Sequence, residues 1–276
     1  MQETPLTPAA VLAGLRTVRL PRTVRCHGQV GSTMDVAREL LRVLPEVELP
    51  LLVSAEEQTA GRGRLGRSWV APAGSALLLS LAMRPRWLAP TRATALVWVA
   101  GLALCEAVEQ VAGVTAALKW PNDLLLPLRE AGGERPDTWA KAAGILLELS
   151  HGAAGVEAAI LGCGVNVRAA PPAGSTRYPA TAVDDAAGRP VSRLELLRAL
   201  LERLDGWYGR LEGGDDAALH RAWRARLHTL GRQVAVETPS GTLAGTAEDV
   251  TTEGALLVRD RAGALHAVSV GDVGLP

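Results

Sequence analysis

The chain has 276 residues, 48% of them hydrophobic, which is enough to bury a large core and to support one large domain with a small second one. Its formal net charge is zero, which argues against a general nucleic-acid binder or membrane-surface protein, so any anion site must be local. Cys26, Cys105 and Cys163 are far apart and form no Cys-x-x-Cys pair, so neither a disulfide framework nor a bound transition metal is expected.

Met1 to Pro8 is polar and lacks the charged-then-apolar order of a signal peptide, which suits a cytoplasmic protein. Ala10 to Leu15 reads as a short helix. The organised pattern starts at Ser32, where Ser32-Thr33-Met34-Asp35 has the form of a capping box. Val36, Ala37, Leu40, Leu41 and Leu44 follow at helical spacing, predicting a helix over Thr33 to Leu44. Leu51 to Ala55 reads as a strand, Gln58 to Arg67 as a Gly- and Arg-rich loop, Leu77 to Met83 as an apolar strand and Arg92 to Val111 as a buried helix. The most apolar stretch, Ala93 to Cys105, is too short for a membrane span. Strands are predicted at Thr115 to Trp120 and Leu124 to Leu126, a polar loop over Pro127 to Thr138, and two antiparallel strands over Ala142 to Leu149 and Val156 to Val167. Helices follow over Arg193 to Leu211, with a Ser192/Glu195 box, and over Asp216 to Leu227. After Gly231 come short segments at Gln233 to Glu237, Thr242 to Asp249, Ala255 to Arg259 and Leu265 to Val270, a pattern suited to a small β barrel. The predicted fold is α+β, a mixed and largely antiparallel sheet with packed helices over residues 1–229, followed by a small β domain over 230–276.

Of the 29 Lys and Arg residues, only Lys119 and Lys141 are lysine. A lysine is a compact point charge where arginine is a planar fork, so a chain that uses arginine almost everywhere draws attention to its exceptions. Lys119 opens Lys119-Trp120-Pro121-Asn122-Asp123 and Lys141 opens Lys141-Ala142-Ala143-Gly144-Ile145. Gly61-Arg62-Gly63-Arg64-Leu65-Gly66-Arg67 has the G-x-G-x-x-G spacing of a dinucleotide fingerprint, but no helix follows it and Pro72 stands in the way. Instead, glycines that let backbone N–H groups close on an anion alternate with guanidinium forks suited to phosphate. Read alone, an Arg-Gly turn is a solvated surface loop, Ser32 an ordinary helix cap, Gln58 a surface amide and Asp123 a turn former. With Asn122 and Asp123 beyond the proline, Lys119 is better read as part of a site for a magnesium–nucleotide complex, with Asp123 as the candidate magnesium ligand.

Taken together these residues resemble the biotin protein ligases. That family's glycine-and-arginine loop stands at Gly61 to Arg67, its Lys-Trp-Pro-Asn-Asp turn at Lys119 to Asp123, its Lys-x-x-Gly-Ile-Leu-x-Glu strand at Lys141 to Glu148 and its Gly-x-Gly-x-Asn segment at Gly162 to Asn166. Ser32 and Thr33 resemble its substrate-contacting Ser-Thr, and Gln58 stands where the family has a biotin-contacting Gln. The resemblance runs from about Ser32 to the C-terminus and implies the class II synthetase-like catalytic fold of biotin and lipoate ligases with an SH3-like last domain. It implies ATP-dependent formation of biotinyl-adenylate, then transfer to a lysine of the biotin carboxyl carrier domain of a carboxylase. The implied catalytic residues are Lys119, Arg62, Arg64 and Asp123. Ser32, Thr33, Met34, Gln58, Gly61, Arg62, Gly63, Arg64, Lys119 and Gly144 would contact biotin. Arg62, Arg64, Arg67, Trp69, Lys119, Asn122, Lys141 and Asn166 would contact ATP or the adenylate.

Two departures stand out. Members that also repress transcription carry a DNA-binding helix-turn-helix ahead of the Ser-Thr, and the 31 residues before Ser32 are too few for such a unit, so no DNA binding is expected. Pro127 to Thr138 is longer than the family's connection. A homodimer through a sheet edge is compatible with the resemblance. The rival readings are a lipoate or octanoate ligase, which lacks the Gly-Arg loop and the Lys119 turn, and a silent adenylate sensor or nucleic-acid module.

Overall fold

The structure, a computed structural model, describes residues 5–130, 133–152, 155–172, 174–238 and 241–274. Thr7 caps α1 (Pro8–Leu12), which begins and ends earlier than the sequence suggested. The first strand, β1 (Thr23–Val30), was not anticipated: its burial follows no clean alternation, so a period-2 search passes over it. Next come α2 (Thr33–Val43), β2 (Leu51–Gln58), β3 (Ala76–Met83), α3 (Ala95–Ala112), β4 (Ala117–Lys119), β5 (Asp123–Glu130), β6 (Gly133–Gly152) and β7 (Gly155–Asn166). The short α4 (Val183–Ala187) was also missed; α5 (Arg193–Glu212) and α6 (Asp216–Ala225) follow.

The main sheet has seven strands in the order β1-β2-β3-β7-β6-β5-β4, with β1 and β2 parallel and the other neighbours antiparallel. The predicted polar loop over 127–138 is corrected to strand at residues 127–130 and 133–138, residues 131 and 132 lying outside the described residues: β5 and β6 remain paired out to Arg129↔Glu134 and Glu130↔Gly133. Pro127 is tolerated there because the ladder shifts register between Pro127 and Arg129. A second antiparallel sheet, in the order β11-β10-β9-β8-β12, is made by β8 (Gln233–Thr238), β9 (Gly241–Val250), β10 (Leu256–Asp260), β11 (Leu265–Val268) and the unpredicted β12 (Asp272–Gly274).

Strand alternation sends the two faces of the main sheet to different cores. Leu52, Leu77, Leu79, Leu81, Leu161 and Val165 join the large core with α3 and α5, whereas Leu51, Val53, Ala82 and Ile160 pack under Met34, Ala37 and Leu41 of α2. The segment Pro90–Ala112 is long and apolar enough to cross a membrane, contrary to the expectation that its apolar run was too short, but most of it is buried inside the fold. Helix α2 covers only part of its face of the sheet. Beyond its end the face is uncovered, and the candidate site lies there.

Candidate active site

Beside α2, the open sheet face forms the floor of a cleft of about 430 Å³. The floor is cleared of side chains by glycine. Gly144 on β6 pairs directly with Gly164 on β7, and a Cβ on Gly164 would lie 2.5 Å from the Trp69 indole, so the ring rests on bare backbone. Two residues along β7, a Cβ on Gly162 would meet the Met34 sulfur at 2.9 Å. The glycines thus make two berths, one for Trp69 and one for Met34.

At the α2 end the polar groups satisfy one another. Gln58 Oε1 accepts from the Thr33 backbone N–H at 2.7 Å and from Thr33 Oγ1 at 3.0 Å, and Thr33 Oγ1 is 2.8 Å from Ser80 Oγ. Ser32 caps α2 by accepting from Met34 N at 3.3 Å. The anticipated capping box is only half formed, because the Asp35 carboxylate accepts from Arg38 and Arg62. Ser80 was missed by sequence reasoning. Its signal is a hydroxyl in the otherwise apolar run Ala76-Leu77-Leu78-Leu79-Ser80-Leu81-Ala82-Met83, where it is completely buried.

The Gly-Arg loop closes on itself through Trp69 N donating to Gly61 O at 2.9 Å and Gly63 N to Arg67 O at 2.7 Å. Gly61 is required at that position, since a Cβ there would lie 2.3 Å from the Trp69 carbonyl oxygen. At the tip, Leu65 (φ 56°) and Gly66 (φ 73°) both adopt the left-handed conformation, which is costly for leucine. The three arginines diverge. Arg62 is held by Asp35 and Glu148, Arg64 Nη1 donates to Asn122 Oδ1 at 3.2 Å and to Gly271 O at 3.3 Å, and Arg67 Nη2 donates to Asp272 Oδ2 at 2.6 Å.

Lys119 ends β4 and is only 4% exposed, behind Asp123 and Tyr178. Its ammonium lies 3.9 Å from the Tyr178 ring centroid and 3.6 Å from Asp123 Oδ2. Burial pushes its pKa below the ordinary lysine value, against the opposing pull of the Asp123 and Asp272 carboxylates. Lys141 Nζ is 2.7 Å from Asp123 Oδ1, close enough for an ion pair but without hydrogen-bond geometry, and it faces the Trp69 ring at 5.8 Å. Trp120 fixes the turn from behind, with Nε1 donating to Gly254 O at 2.9 Å and its backbone N–H to Thr229 Oγ1 at 2.9 Å. Asn122 is locked by Nδ2 donating to Ile145 O at 2.6 Å. Asn166 donates to Thr181 O at 3.2 Å, while its Oδ1, Trp69 Nε1 and Tyr178 Oη have no hydrogen-bond partner.

Ser32, Thr33, Met34, Gln58, Arg62, Gly63, Arg64, Arg67, Trp69, Asn122, Asp123, Lys141, Gly144 and Asn166 all line this cleft. Gly61 and Lys119 support its wall from behind. Tyr178, Arg177 and Asp272 also line it and were not foreseen, because they arrive from distant segments with no local motif. Asp272 comes from the second sheet. Burial acts to raise its pKa, but the Arg67 hydrogen bond and the Lys119, Arg67 and Arg177 charges outweigh this and hold it below the usual carboxylate range.

A magnesium ion held at Asp123 does not fit this arrangement. Both carboxylate oxygens already face ammonium groups, and no cluster of three His, Cys, Asp or Glu side chains able to hold a metal occurs among the described residues.

The architecture matches that of biotin protein ligase from Aquifex aeolicus in complex with biotin and ATP, with a TM-score of 0.74 at 24% identity, covering 92% of this chain and 99% of that one; this likeness carries the fold. Residues 28–166 match the biotin/lipoate A/B protein ligase family and residues 229–275 the biotin protein ligase C-terminal domain. A biotin–[acetyl-CoA-carboxylase] ligase of Paracoccus denitrificans is 38% identical over 239 residues, 85% of this chain and 94% of the relative. The corresponding enzyme of Mycobacterium tuberculosis is 35% identical, covering 81% of this chain and 78% of the relative. The chain belongs to the biotin protein ligase family.

Proposed function

We propose that the chain joins biotin to a carrier protein in two steps. The biotin carboxylate attacks the α-phosphorus of ATP, the bond to the leaving pyrophosphate breaks, and biotinyl-adenylate remains. The ε-amine of a lysine on a biotin carboxyl carrier domain then attacks the acyl carbon, an amide forms, and AMP leaves with the electron pair of the broken C–O bond. The observation that carries this reading is the meeting, in one cleft, of a neutral and apolar end with a cationic end around buried Lys119.

The reaction brings two anions together, so the work of the site is electrostatic and positional. Thr33 and Gln58, with Ser80 buried behind Thr33, offer hydroxyl and amide groups to a polar ring, while Met34 and Leu146 enclose the aliphatic part. Lys119, Arg64 and Arg67 counter phosphate charge, and Trp69 with the unfilled Asn166 Oδ1 offers a stacking face and an acceptor to adenine. Magnesium enters as part of the ATP substrate rather than as a resident ion.

Exchange of labelled pyrophosphate into ATP tests the reading, with biotin, lipoate or octanoate supplied in turn. Exchange with biotin alone is the expected result. Exchange with lipoate or octanoate instead would move the assignment to the other half of the family, and no exchange with any of them would leave a silent adenylate sensor.

A further inference from the structure

Among the three loop arginines, Arg62 stands apart. Its Nη1 is 2.6 Å from Asp35 Oδ1 and its Nη2 is 3.2 Å from Glu148 Oε1. Arg38 Nη1 is 2.5 Å from the same Asp35 oxygen, and Arg38 Nη2 donates to the other Glu148 oxygen. The four side chains form a closed ring of alternating charge drawn from α2, the loop and β6. Each guanidinium spans two carboxylates, a geometry that a lysine cannot reproduce. Arg64 and Arg67, by contrast, reach carbonyl, amide or carboxylate oxygens through single nitrogens and keep donors to spare.

We propose that Arg62 is a positioning residue: through Asp35, Arg38 and Glu148 it pins the start of the Gly-Arg loop to the first turn of α2 and to β6, coupling the loop to the biotin end of the cleft. The inference rests on the ligase reading above. Asp35 lies in the same helical turn as Thr33 and Met34, so whatever holds Arg62 there also holds the loop against the groups that receive biotin. On the other side, Arg62 bridges to Ser68 and is flanked by Gly61, which bonds to Trp69, so motion at Arg62 passes directly to the indole. The division of labour is one anchor and two anion ligands.

The test compares Asp35→Asn, Arg62→Gln and the double variant, with Glu148→Gln as a second route to the same break. Two readouts are taken: trypsin cleavage after Arg64 and Arg67 in the unliganded protein, and the biotin KM and kcat of pyrophosphate exchange. Anchoring predicts that each single change accelerates loop cleavage and raises the biotin KM by roughly 5- to 10-fold with a smaller change in kcat. The double variant should be no worse than Arg62→Gln alone, because Arg62→Gln already removes the loop's contacts to both Asp35 and Glu148. The inference is overturned if Asp35→Asn and Glu148→Gln leave cleavage and biotin KM at wild-type values, or if Arg62→Gln lowers kcat in a way that neither carboxylate variant reproduces, as a direct phosphate ligand would. Cleavage is read without substrate, so it separates failure of the anchor from failure of the ligase reading, which would appear as absent biotin exchange in the unaltered protein.

Discussion

At the α2 end of the cleft, Thr33, Gln58 and Ser80 hold one another in a neutral hydrogen-bonded set, and Met34 fills the space left by Gly162. At the opposite end, Lys119, Lys141, Arg64 and Arg67 are held by an internal carboxylate, amide, carbonyl or aromatic face: Asp123, Asn122, Gly271, Asp272 and Tyr178. The first end is preformed for an uncharged ring. The second stores its cations on internal partners that an incoming polyphosphate must replace, so binding there is an exchange of counter-charges. The two ends should therefore fail differently when altered.

The largest effect is expected at Lys119. Its ammonium fits between the Tyr178 ring and Asp123 with almost no exposure, and a guanidinium is wider and planar. Lys119→Arg should slow adenylate formation by about 10²-fold or more, while equilibrium binding of biotin changes little. Near-normal exchange would show that the cationic end works without a point charge. The same residue sets a pH expectation. Burial lowers its pKa, so the charge is lost as pH rises through a value below the ordinary 10.5, and the alkaline limb of kcat/KM for ATP should lie correspondingly early.

The paired glycines sharpen the contrast further. Gly164→Ala would drive a methyl into the Trp69 ring, and Gly162→Ala would press on the flexible Met34 side chain. We expect the first to raise the ATP KM by about tenfold and the second to raise the biotin KM less, because a thioether can rotate aside where an indole cannot. Equal effects of either substitution on both KM values would mean that the cleft floor acts as one unit.

What was legible in the sequence follows the same division. The Lys119 turn and the Gly-Arg loop could be read because their chemistry is local, with charge, glycine and proline at fixed spacing within a few residues. Tyr178 and Asp272 could not, since nothing in Arg177-Tyr178-Pro179 or Gly271-Asp272-Val273 marks them, and only the fold brings them to Lys119 and Arg67. Helix α3 and the β6–β7 pair were legible from long apolar runs, whereas β1 was not, having a weak burial pattern and a parallel partner. Pro127 pointed to a loop, yet a register shift accommodates it within a strand. The reading of Asp123 as a magnesium ligand rested on its carboxylate alone, since the sequence does not show the second lysine that the fold sets beside it.

The cationic end also depends on the second sheet through Trp120, whose indole N–H donates to Gly254 O in a fully buried contact. Trp120→Phe leaves that carbonyl without its donor at a cost of about 1–2 kcal/mol, which for a chain of this size is a fall of about 2–4 °C in Tm. The change should weaken ATP binding more than biotin binding, since the turn it supports carries Lys119 and Asn122. A lower Tm with both substrates affected alike would indicate general loosening instead.

The smallest expected effect concerns His228, whose backbone N–H donates to Leu118 O beside Lys119 and whose ring lies 4.8 Å from that of Trp139. Burial, with help from the Arg232 charge, lowers its pKa from 6.5 to about 4. The folded protein therefore prefers the neutral imidazole, and between these two values the unfolded chain binds more protons. The contribution is complete above about pH 6.5 and is lost progressively as pH falls toward about 4. His228→Gln should flatten that part of the Tm profile by about 1–2 °C, a modest amount because the ring is only half buried. If the acid limb keeps its slope in the variant, protonation of another group governs it, and the strand that carries Lys119 is not the part of the fold that yields first to acid.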